Sequence, residues 1–338
     1  MLFSGLKSVI TAAAVIGLAA ASILAAPSTL IAMEQGTKAP AKRTVVIGLV
    51  AKSQTNPVFI AARTGANAAA KELGEKLGIT VNIDWRTPVS EDAQKQAEAI
   101  EQLVASGVDG IAVSCSDAKI LTGAINTAVE KGTPVVTFDS DAPQSKRFAY
   151  YGTDDVACGR QLGRELAKAM GGNGVVAILA GNQTAPNLQG RVRGVKEVIE
   201  KEFKDIKVLD TYYHAETPQD AVAKLEQVQA ANPQITGWAM VGGWPLFTAN
   251  ALDKVAGKAK VVAVDALPAQ LVYVKNGQVE VLLGQKVYEW GYESVRILLD
   301  KIVNNKSPSE AVIKADLVPV TKENAEAYGK NWDKWLGK

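Results

Sequence analysis

Two apolar segments in different halves of the chain each end in a carboxylate. The segment from Pro134 to Phe138 runs into Asp139, and the segment from Val261 to Val264 runs into Asp265. In an open parallel α/β sheet, ligands bind in the crevice outside the carboxyl ends of the strands, so an acid at this point can accept hydrogen bonds from a ligand. Two such acids favour a ligand that carries several hydroxyl groups.

Most of the other predicted strands also end in a side chain that can bind a polar ligand. Asn and Asp are common in loops because they hydrogen-bond nearby backbone, so no single position is decisive. Their coincidence at strand ends is what indicates a site. The candidates read from the strand ends include Asn56, Trp85, Ser114, Asp139, Ser140, Asn187, Trp244, Asp265 and Gln285.

A sugar is the small molecule that best matches this mixture. Its hydroxyl groups require carboxylates and amides around the rim, and its C–H faces pack against aromatic rings. Phe59, Trp85 and Trp244 are the candidate rings, with packing in the core as the alternative for each. We expect Asp139 and Asp265 to stay ionised, with Lys52 and Arg86 offsetting the cost of burying them.

The order of predicted elements indicates two α/β domains. At 338 residues the chain exceeds the size at which one core usually stops growing. Strands and helices alternate from Thr44 to Phe138, and after a strand near Tyr151 the alternation starts again, which predicts two parallel sheets covered by helices on both faces. The pattern includes a predicted helix from Leu246 to Val255.

The amino-terminal segment predicts export from the cytoplasm. One lysine, an apolar stretch and then small residues are typical of a secretory signal, here residues 1–32, with an uncleaved membrane anchor as the alternative. Residues 33–43 read as a flexible leader. The formal net charge of +2 argues against nucleic acid as a partner.

Several chemistries are disfavoured by what the sequence lacks. His214 is the only histidine, so an HExxH zinc site is excluded and a serine-histidine apparatus would depend on that residue alone. The glycine-rich run Gly171 to Gly174 follows a predicted helix and is typical of a helix end, so we expect no nucleotide cofactor. We also expect no bound metal. Cys115 and Cys158 are expected to be free, buried thiols.

Seven short motifs follow one another in a definite order along the chain. They are Ile47-Gly48-Leu49-Val50, Asn56-Pro57-Val58-Phe59, Pro134 to Asp139, Tyr151-Gly152-Thr153-Asp154-Asp155, Gln189-Gly190-Arg191-Val192-Arg193-Gly194, Asn232 to Gly237 and Val262 to Asp265. In the order and spacing of these motifs, the chain resembles the periplasmic monosaccharide-binding proteins of ABC importers, the group around ribose-binding protein. The resemblance covers about Thr44 to Val320.

The resemblance implies two Rossmann-like lobes joined by a hinge of three crossings, the type I periplasmic binding protein fold. The crossings would fall near Thr153, Gln285 and Leu317, giving an amino-terminal lobe of residues 44–152 plus 286–316 and a carboxy-terminal lobe of residues 153–285 plus 317–338. The family's ligand contacts would fall on Asn56, Phe59, Ser114, Asp139, Gln189, Trp244, Asp265 and Gln285, with Lys52 also lining the pocket.

The implied function is capture of a sugar or polyol by a monomeric periplasmic protein that delivers it to a membrane permease, with a chemoreceptor as a further candidate partner. Ser140 and Gln189 stand where ribose binders have arginines, which argues against ribose itself. A receptor for a furanose-like signal is one alternative, and a glycoside hydrolase, which also needs two carboxylates, is another. The effector domain of a repressor would need a DNA-reading helix-turn-helix where this chain has its export signal.

Overall fold

A computed structural model describes residues 43–338 of the chain. The predicted signal peptide and all but the last residue of the predicted leader lie outside the described residues. Two six-stranded sheets form the framework, which confirms the predicted α/β class. The strands of the first sheet are β1 (Thr44–Val50), β2 (Thr80–Trp85), β3 (Gly110–Val113), β4 (Val135–Phe138), β5 (Ala149–Thr153) and β11 (Val312–Ala315).

The first sheet is entirely parallel and has the order β11-β5-β4-β3-β1-β2. Its central strands β3 and β4 are buried at every position, as expected for strands covered on both faces. Two helices lie on each face. The helices are α1 (Pro57–Leu77) with α8 (Val287–Asn304) on one face and α2 (Ala93–Ala105) with α3 (Ala118–Glu130) on the other.

The second sheet repeats this plan with one antiparallel edge strand. Its strands are β6 (Gly174–Ala180), β7 (Ile206–Tyr213), β8 (Gly237–Met240), β9 (Lys260–Val264), β10 (Val281–Gly284) and β12 (Val318–Val320), in the order β12-β10-β9-β8-β6-β7. Only β12 runs antiparallel to its neighbour. Its helices are α4 (Asp155–Ala169) and α5 (Pro186–Glu202) on one face and α6 (Pro218–Ala231) and α7 (Pro268–Lys275) on the other.

The chain passes between the two lobes three times. The passages follow β5, β10 and β11, because α4 packs on the second sheet, α8 packs on the first, and β12 joins the second. The last helices, α9 (Ala325–Gly329) and α10 (Asn331–Trp335), lie beside both lobes: α9 contacts α7 and α10 contacts α1. The assignment of single residues to one lobe or the other stays a prediction.

The predicted helix from Leu246 to Val255 is wrong. The structure has a short 3-10 helix over Trp244–Phe247, followed by a series of turns. Asn250 has φ of 63°, a left-handed conformation that ends helical geometry. The Tyr273 hydroxyl, which accepts the backbone N–H of Ala251 at 3.0 Å and donates to the Thr248 carbonyl, holds the turns in place.

Glycines let the main helix pairs approach closely. In the first lobe, a Cβ atom on Gly291 of α8 would stand 1.8 Å from the carbonyl oxygen of Ala62 in α1. In the second lobe, a Cβ atom on Gly159 of α4 would stand 2.0 Å from the carbonyl oxygen of Arg191 in α5. Backbone contact of this kind requires glycine, and in the second lobe it determines where Arg191 lies.

Candidate functional site

The two strand-end acids share an unusual backbone conformation. Asp139 follows β4 with φ of 56°, and Asp265 follows β9 with φ of 71°. Residues other than glycine rarely adopt this region, and where they do the surrounding structure holds them there, often at a ligand site. Both acids are buried. The backbone N–H of Asp139 donates to the Tyr151 carbonyl and that of Asp265 donates to the Leu283 carbonyl, so each acid is tied to the strand beside its own.

Donors from both lobes surround Asp139. Within the first lobe, the Ser114 hydroxyl donates to its Oδ2 at 2.7 Å and the Lys52 ammonium lies 4.0 Å from the same oxygen. From the second lobe, Asn187 Nδ2 donates to its Oδ1 at 3.2 Å, while Lys52 Nζ donates to Asn187 Oδ1 at 3.5 Å. The lobes therefore meet across the cleft in a closed conformation.

Asp265 belongs to a network within the second lobe and its hinge. Gln285 Nε2 donates to Asp265 Oδ1 at 2.8 Å. The side-chain oxygen Oε1 of Gln285 accepts from Arg191 Nη2 and from the Thr153 hydroxyl, each at 2.8 Å. Thr153 and Gln285 both lie where the chain crosses between lobes, so this network ties two crossings to the acid.

Arg191 belongs to this network, and the strand-end analysis did not identify it. Its side chain is buried, with Nε donating to Asp155 at 2.9 Å and Nη1 donating to the Val241 carbonyl at 3.1 Å. It lies inside the motif that begins at Gln189, two residues further along α5. Its position in that motif was the available signal, but Arg191 follows no strand.

Burial and charge oppose each other at these acids. Burial raises the pKa of Asp265 above its ordinary value, and the Arg191 guanidinium and the Gln285 amide partly counteract this. Burial likewise raises the pKa of Asp155 to about 6 despite Arg191. For Lys52, burial alone would lower the pKa, but the carboxylates of Asp139, Glu91 and Glu216 raise it above its ordinary value. The cleft therefore holds a protonated lysine among acids.

Arg86 does not contribute to this balance. We expected it to offset the buried acids together with Lys52, but its guanidinium is bound to Asp84, with Nη2 2.9 Å from Oδ2. That part of the prediction is wrong, because Asp84 lies two residues before Arg86 and takes up its charge locally.

The predicted aromatic rings lie in three different environments. Phe59 is buried with its ring centroid 6.3 Å from that of Trp290, in the core of the first lobe. Trp85 lies under the Arg63 guanidinium, 5.4 Å from the ring centroid. Trp244 is buried and its ring contacts that of His214 edge-on at 5.4 Å.

The remaining predicted residues include two with unused hydrogen-bonding atoms. Asn56 caps α1, its Oδ1 accepting the N–H of Val58 at 3.2 Å. Within residues 43–338, the buried Ser140 Oγ and Gln189 Nε2 have no hydrogen-bond partner. The side-chain oxygen Oε1 of Gln189 accepts from the Tyr213 hydroxyl at 3.4 Å. Buried polar atoms are normally paired, so these two suit the donors and acceptors of a bound molecule.

Other features of the described residues bear on the candidate chemistries. Within residues 43–338, no cluster of three His, Cys, Asp or Glu side chains is arranged to hold a metal ion. In the same range, no helix combines the length and apolar character needed to cross a bilayer. Cys115 and Cys158 are both buried and unpaired.

Known proteins match this chain over most of its length. The family model for a periplasmic binding protein domain matches residues 47–306. A D-ribose/D-allose-binding protein from Pseudomonas aeruginosa is 29% identical over 69% of this chain and 74% of its own length. A D-apiose import binding protein from Actinobacillus succinogenes is 24% identical over 84% and 91%.

A solved structure agrees with these relatives. An ABC transporter solute-binding protein from Burkholderia graminis, in complex with D-arabinose, is 28% identical to this chain. Its TM-score is 0.78, with 86% of this chain and 99% of that chain covered. The resemblance stated from the sequence motifs is therefore confirmed at the level of the family.

Proposed function

Because the chain belongs to the family of periplasmic binding protein domains, we propose that it captures a monosaccharide or a similar polyhydroxylated small molecule between its lobes and delivers it to the permease of an ABC importer. The observation that carries this proposal is the pair of buried strand-end acids, one from each lobe, both held in a left-handed backbone conformation. A carboxylate accepts two hydroxyl hydrogen bonds in its plane, so the pair suits a ligand with hydroxyl groups on opposite sides.

The proposed binding residues are the predicted strand-end residues together with the lysine that balances them. Asp139 and Asp265 accept from the hydroxyl groups, while Ser140 and Gln189 use the buried atoms that have no protein partner in the described residues. The full proposed set is Lys52, Asn56, Phe59, Trp85, Ser114, Asp139, Ser140, Gln189, Trp244, Asp265 and Gln285. Arg191 acts through Gln285 and positions it.

Closure is the proposed mechanism of capture. The three passages between the lobes form a hinge, and a ligand that contacts both lobes stabilises the closed form over the open one. Asn187 already reaches across the cleft to Asp139. The permease, and a chemoreceptor as a second candidate, would recognise the closed form, because closure holds the rims of both lobes in one arrangement.

We propose that binding proceeds without a bond being made or broken. The matched relatives are named as binding proteins, and their printed ligands are D-ribose, D-allose, D-apiose and D-arabinose. All of these are monosaccharides. The proposed location is the periplasm, with the predicted signal peptide as the export signal.

The test is a ligand screen on the purified mature protein. A panel of pentoses, hexoses, branched sugars, deoxysugars and polyols is compared by thermal shift, because a ligand that binds only the folded state raises its melting temperature. We expect at least one sugar to raise it, with one-to-one binding in calorimetry and no change in the sugar on incubation. A panel without a stabilising sugar, or release of reducing ends from a glycoside, would overturn the proposal.

A further inference from the structure

A buried glutamine joins two loops of the first lobe. Gln96 lies near the start of α2 and is completely buried. Its Nε2 atom donates to the carbonyl oxygens of Ala51 at 2.9 Å and of Ser114 at 2.7 Å. Its Oε1 atom accepts the backbone N–H of Ser116 at 3.0 Å. Both ends of the amide are therefore hydrogen-bonded, as burial of a polar group requires.

The groups that Gln96 holds are next to proposed binding residues. Ala51 follows β1 and directly precedes Lys52. Ser114 follows β3, and its hydroxyl donates to Asp139 at 2.7 Å. The backbone hydrogen bonds that join β1 to β3 within the described residues reach no further than Ser114. Beyond that point Gln96 connects the two loops, so it determines their spacing where they enter the cleft.

The second lobe uses a buried glutamine in the same way. Gln270 lies near the start of α7 and is also completely buried. Its Nε2 atom donates to the carbonyl oxygen of Val264 at 3.1 Å, and its Oε1 atom accepts the backbone N–H of Leu267 at 2.8 Å. These two partners lie on either side of Asp265 in the chain. A Cβ atom on Gly243 would stand 2.3 Å from the same Nε2 atom, so Gln270 also packs against the loop after β8.

A further buried glutamine has partners outside the cleft. Gln229 lies on α6, and its Oε1 atom accepts from the Trp238 indole at 2.7 Å, while its Nε2 atom donates to the Ile235 carbonyl at 3.4 Å. These partners lie at the amino end of β8, whereas the cleft lies at the carboxyl ends of the strands. Burial alone therefore does not connect a glutamine to the site, and Gln229 provides a matched control for the other two.

We propose that Gln96 and Gln270 are positioning residues for the sugar site, each of which holds the loops of its own lobe in the geometry that the ligand requires. Gln96 sets the donors of the first lobe against Asp139, and Gln270 sets the left-handed turn at Asp265. The proposal rests on the sugar-capture function above. Both glutamines act through the residues that they hold and not by contact with the ligand.

The physical reason is that loop residues carry most of the proposed ligand contacts. A hydrogen bond weakens steeply when its angle becomes unfavourable, so a small displacement of a loop reduces affinity. A site whose ligand contacts are held by further hydrogen bonds loses less free energy when the ligand orders it. Removing either glutamine should therefore weaken binding in a protein that remains folded.

The experiment measures affinity and stability together in matched variants. Gln96→Met and Gln270→Met keep the length of the side chain but remove its hydrogen bonds, and Gln229→Met does the same at the control position. Calorimetry with the sugar that gives the largest thermal shift should show that each of the first two loses affinity by about tenfold or more, roughly the worth of one hydrogen bond. Gln229→Met should lower the melting temperature and keep the affinity of the unmodified protein.

Double variants separate positioning from a general loosening of the fold. Ser114→Ala removes the hydroxyl that Gln96 places, so Gln96→Met should cost less affinity in that background than by itself. Gln96 and Gln270 lie in different lobes and share no partner, so the affinity losses of Gln96→Met and Gln270→Met should add. A Gln96→Met loss that is the same with and without the Ser114 hydroxyl would contradict action through Ser114.

A second pair of variants applies where a methionine variant does not fold. Gln96→Glu keeps the shape of the side chain, and its protonated carboxyl group can donate to one carbonyl oxygen, whereas the ionised group can donate to none. Its affinity relative to the unmodified protein should therefore fall as the pH rises from about 5 to about 8. The charge of Lys52 favours the ionised form and that of Asp139 disfavours it, and both groups are present in the two proteins, so only the ratio is compared. The same comparison is made for Gln270→Glu, beside Asp265.

The outcomes distinguish this proposal from sugar capture. If the folded variants of Gln96 and Gln270 bind the sugar as tightly as the unmodified protein, positioning is wrong while sugar capture stands. An equal loss of affinity in Gln229→Met would also overturn positioning, because lost stability would then account for the effect. If no sugar in the panel binds the unmodified protein, sugar capture fails and the positioning role fails with it.

Discussion

The two lobes hold their strand-end acids in different ways. In the first lobe, Asp139 is bonded by Ser114 and by Asn187, and the second of these donors comes from the opposite lobe. In the second lobe, Asp265 is bonded by Gln285, which Arg191 and Thr153 hold in turn. The second site is therefore largely formed without the first lobe, whereas the first site is completed only when the cleft closes.

From this difference we infer a sequence of events for the proposed function. A ligand would dock first on the preformed network around Asp265, and closure would then bring Asn187 to Asp139. A preorganised site loses less free energy on binding than one that must be ordered, which gives the second lobe the larger role in the first encounter. The predictions below test this comparison, from the largest expected effect to the smallest.

The largest effect is expected from removing either acid. Asp139→Ala and Asp265→Ala should each weaken sugar binding by about 3 to 6 kcal/mol, since each acid accepts two hydroxyl hydrogen bonds worth roughly 1.5 to 3 kcal/mol. Calorimetry measures the loss. Asp210→Ala, an exposed acid on β7, is the control and should bind as the unmodified protein does.

The two acid variants should differ in stability without ligand. Asp139→Ala leaves the Lys52 ammonium with a weaker set of counter-charges, so its unfolding free energy should fall. The Asp265→Ala variant loses a carboxylate whose ionised form is disfavoured by burial. Its free energy of unfolding should therefore change less than that of Asp139→Ala. Urea denaturation of both variants checks this. Equal losses would contradict the difference between the lobes.

Arg191 should be essential for the second lobe. Arg191→Met leaves the partly buried Asp155 and the buried Asp265 without their cation, and breaking a largely buried ion pair in this way costs up to about 3 to 5 kcal/mol of unfolding free energy. Chemical denaturation measures the loss. Arg193→Met, at an exposed position on the same helix, should leave both stability and affinity unchanged. Similar behaviour of the two variants would show that the network around Gln285 is dispensable.

Stability should depend on pH through Asp155. Its pKa is raised to about 6, so the stabilisation from its protonated form is present below about pH 4 and is lost as the pH rises through about 6. The expected size is about 3 kcal/mol. Urea denaturation of the unmodified protein and of Asp155→Asn across this range should show the difference between them growing with pH. Parallel curves would mean that Asp155 titrates normally.

The smallest expected effect comes from the glycine contacts between helices. Gly159→Ala forces α4 away from the backbone of Arg191 and should cost about 1 to 3 kcal/mol of stability. Gly291→Ala makes a similar clash in the first lobe, but only the Gly159 variant should also weaken sugar binding, because it moves Arg191. Gly123→Ala, on α3 with open space around it, is the control and should stabilise the protein by up to about 1 kcal/mol.

The parts of the site that follow strands could be predicted from the sequence. Two short runs, Val135 to Phe138 and Val261 to Val264, are rich in β-branched residues and too short for a typical helix, which favours buried strands. The residue after each run is therefore expected at the carboxyl end of the sheet. Arg191 could not be found in this way, because a helical residue reaches the cleft only through the close contact of α4 with α5. The closeness of the two lobes, which brings Asn187 to Asp139, is a property of the closed fold and leaves no local pattern.

The wrong helix over Leu246 to Val255 has a similar explanation. The segment is rich in helix-forming residues, but the left-handed Asn250 and the hydroxyl of Tyr273, more than twenty residues away, hold it in turns. Tertiary contacts of this kind override local preference. Arg86 illustrates the opposite case, since a local partner, Asp84, removes it from the long-range role that its position suggested.

The most direct test of the account is a crystal structure of the protein with the sugar that the panel selects. The account predicts one sugar between the lobes, with a hydroxyl oxygen within roughly 3 Å of a carboxylate oxygen of Asp139 and another at the same distance from Asp265. It also predicts that Arg191 donates to the side-chain oxygen of Gln285 in that complex. A sugar bound elsewhere, or in contact with only one of the two acids, would contradict the central claim.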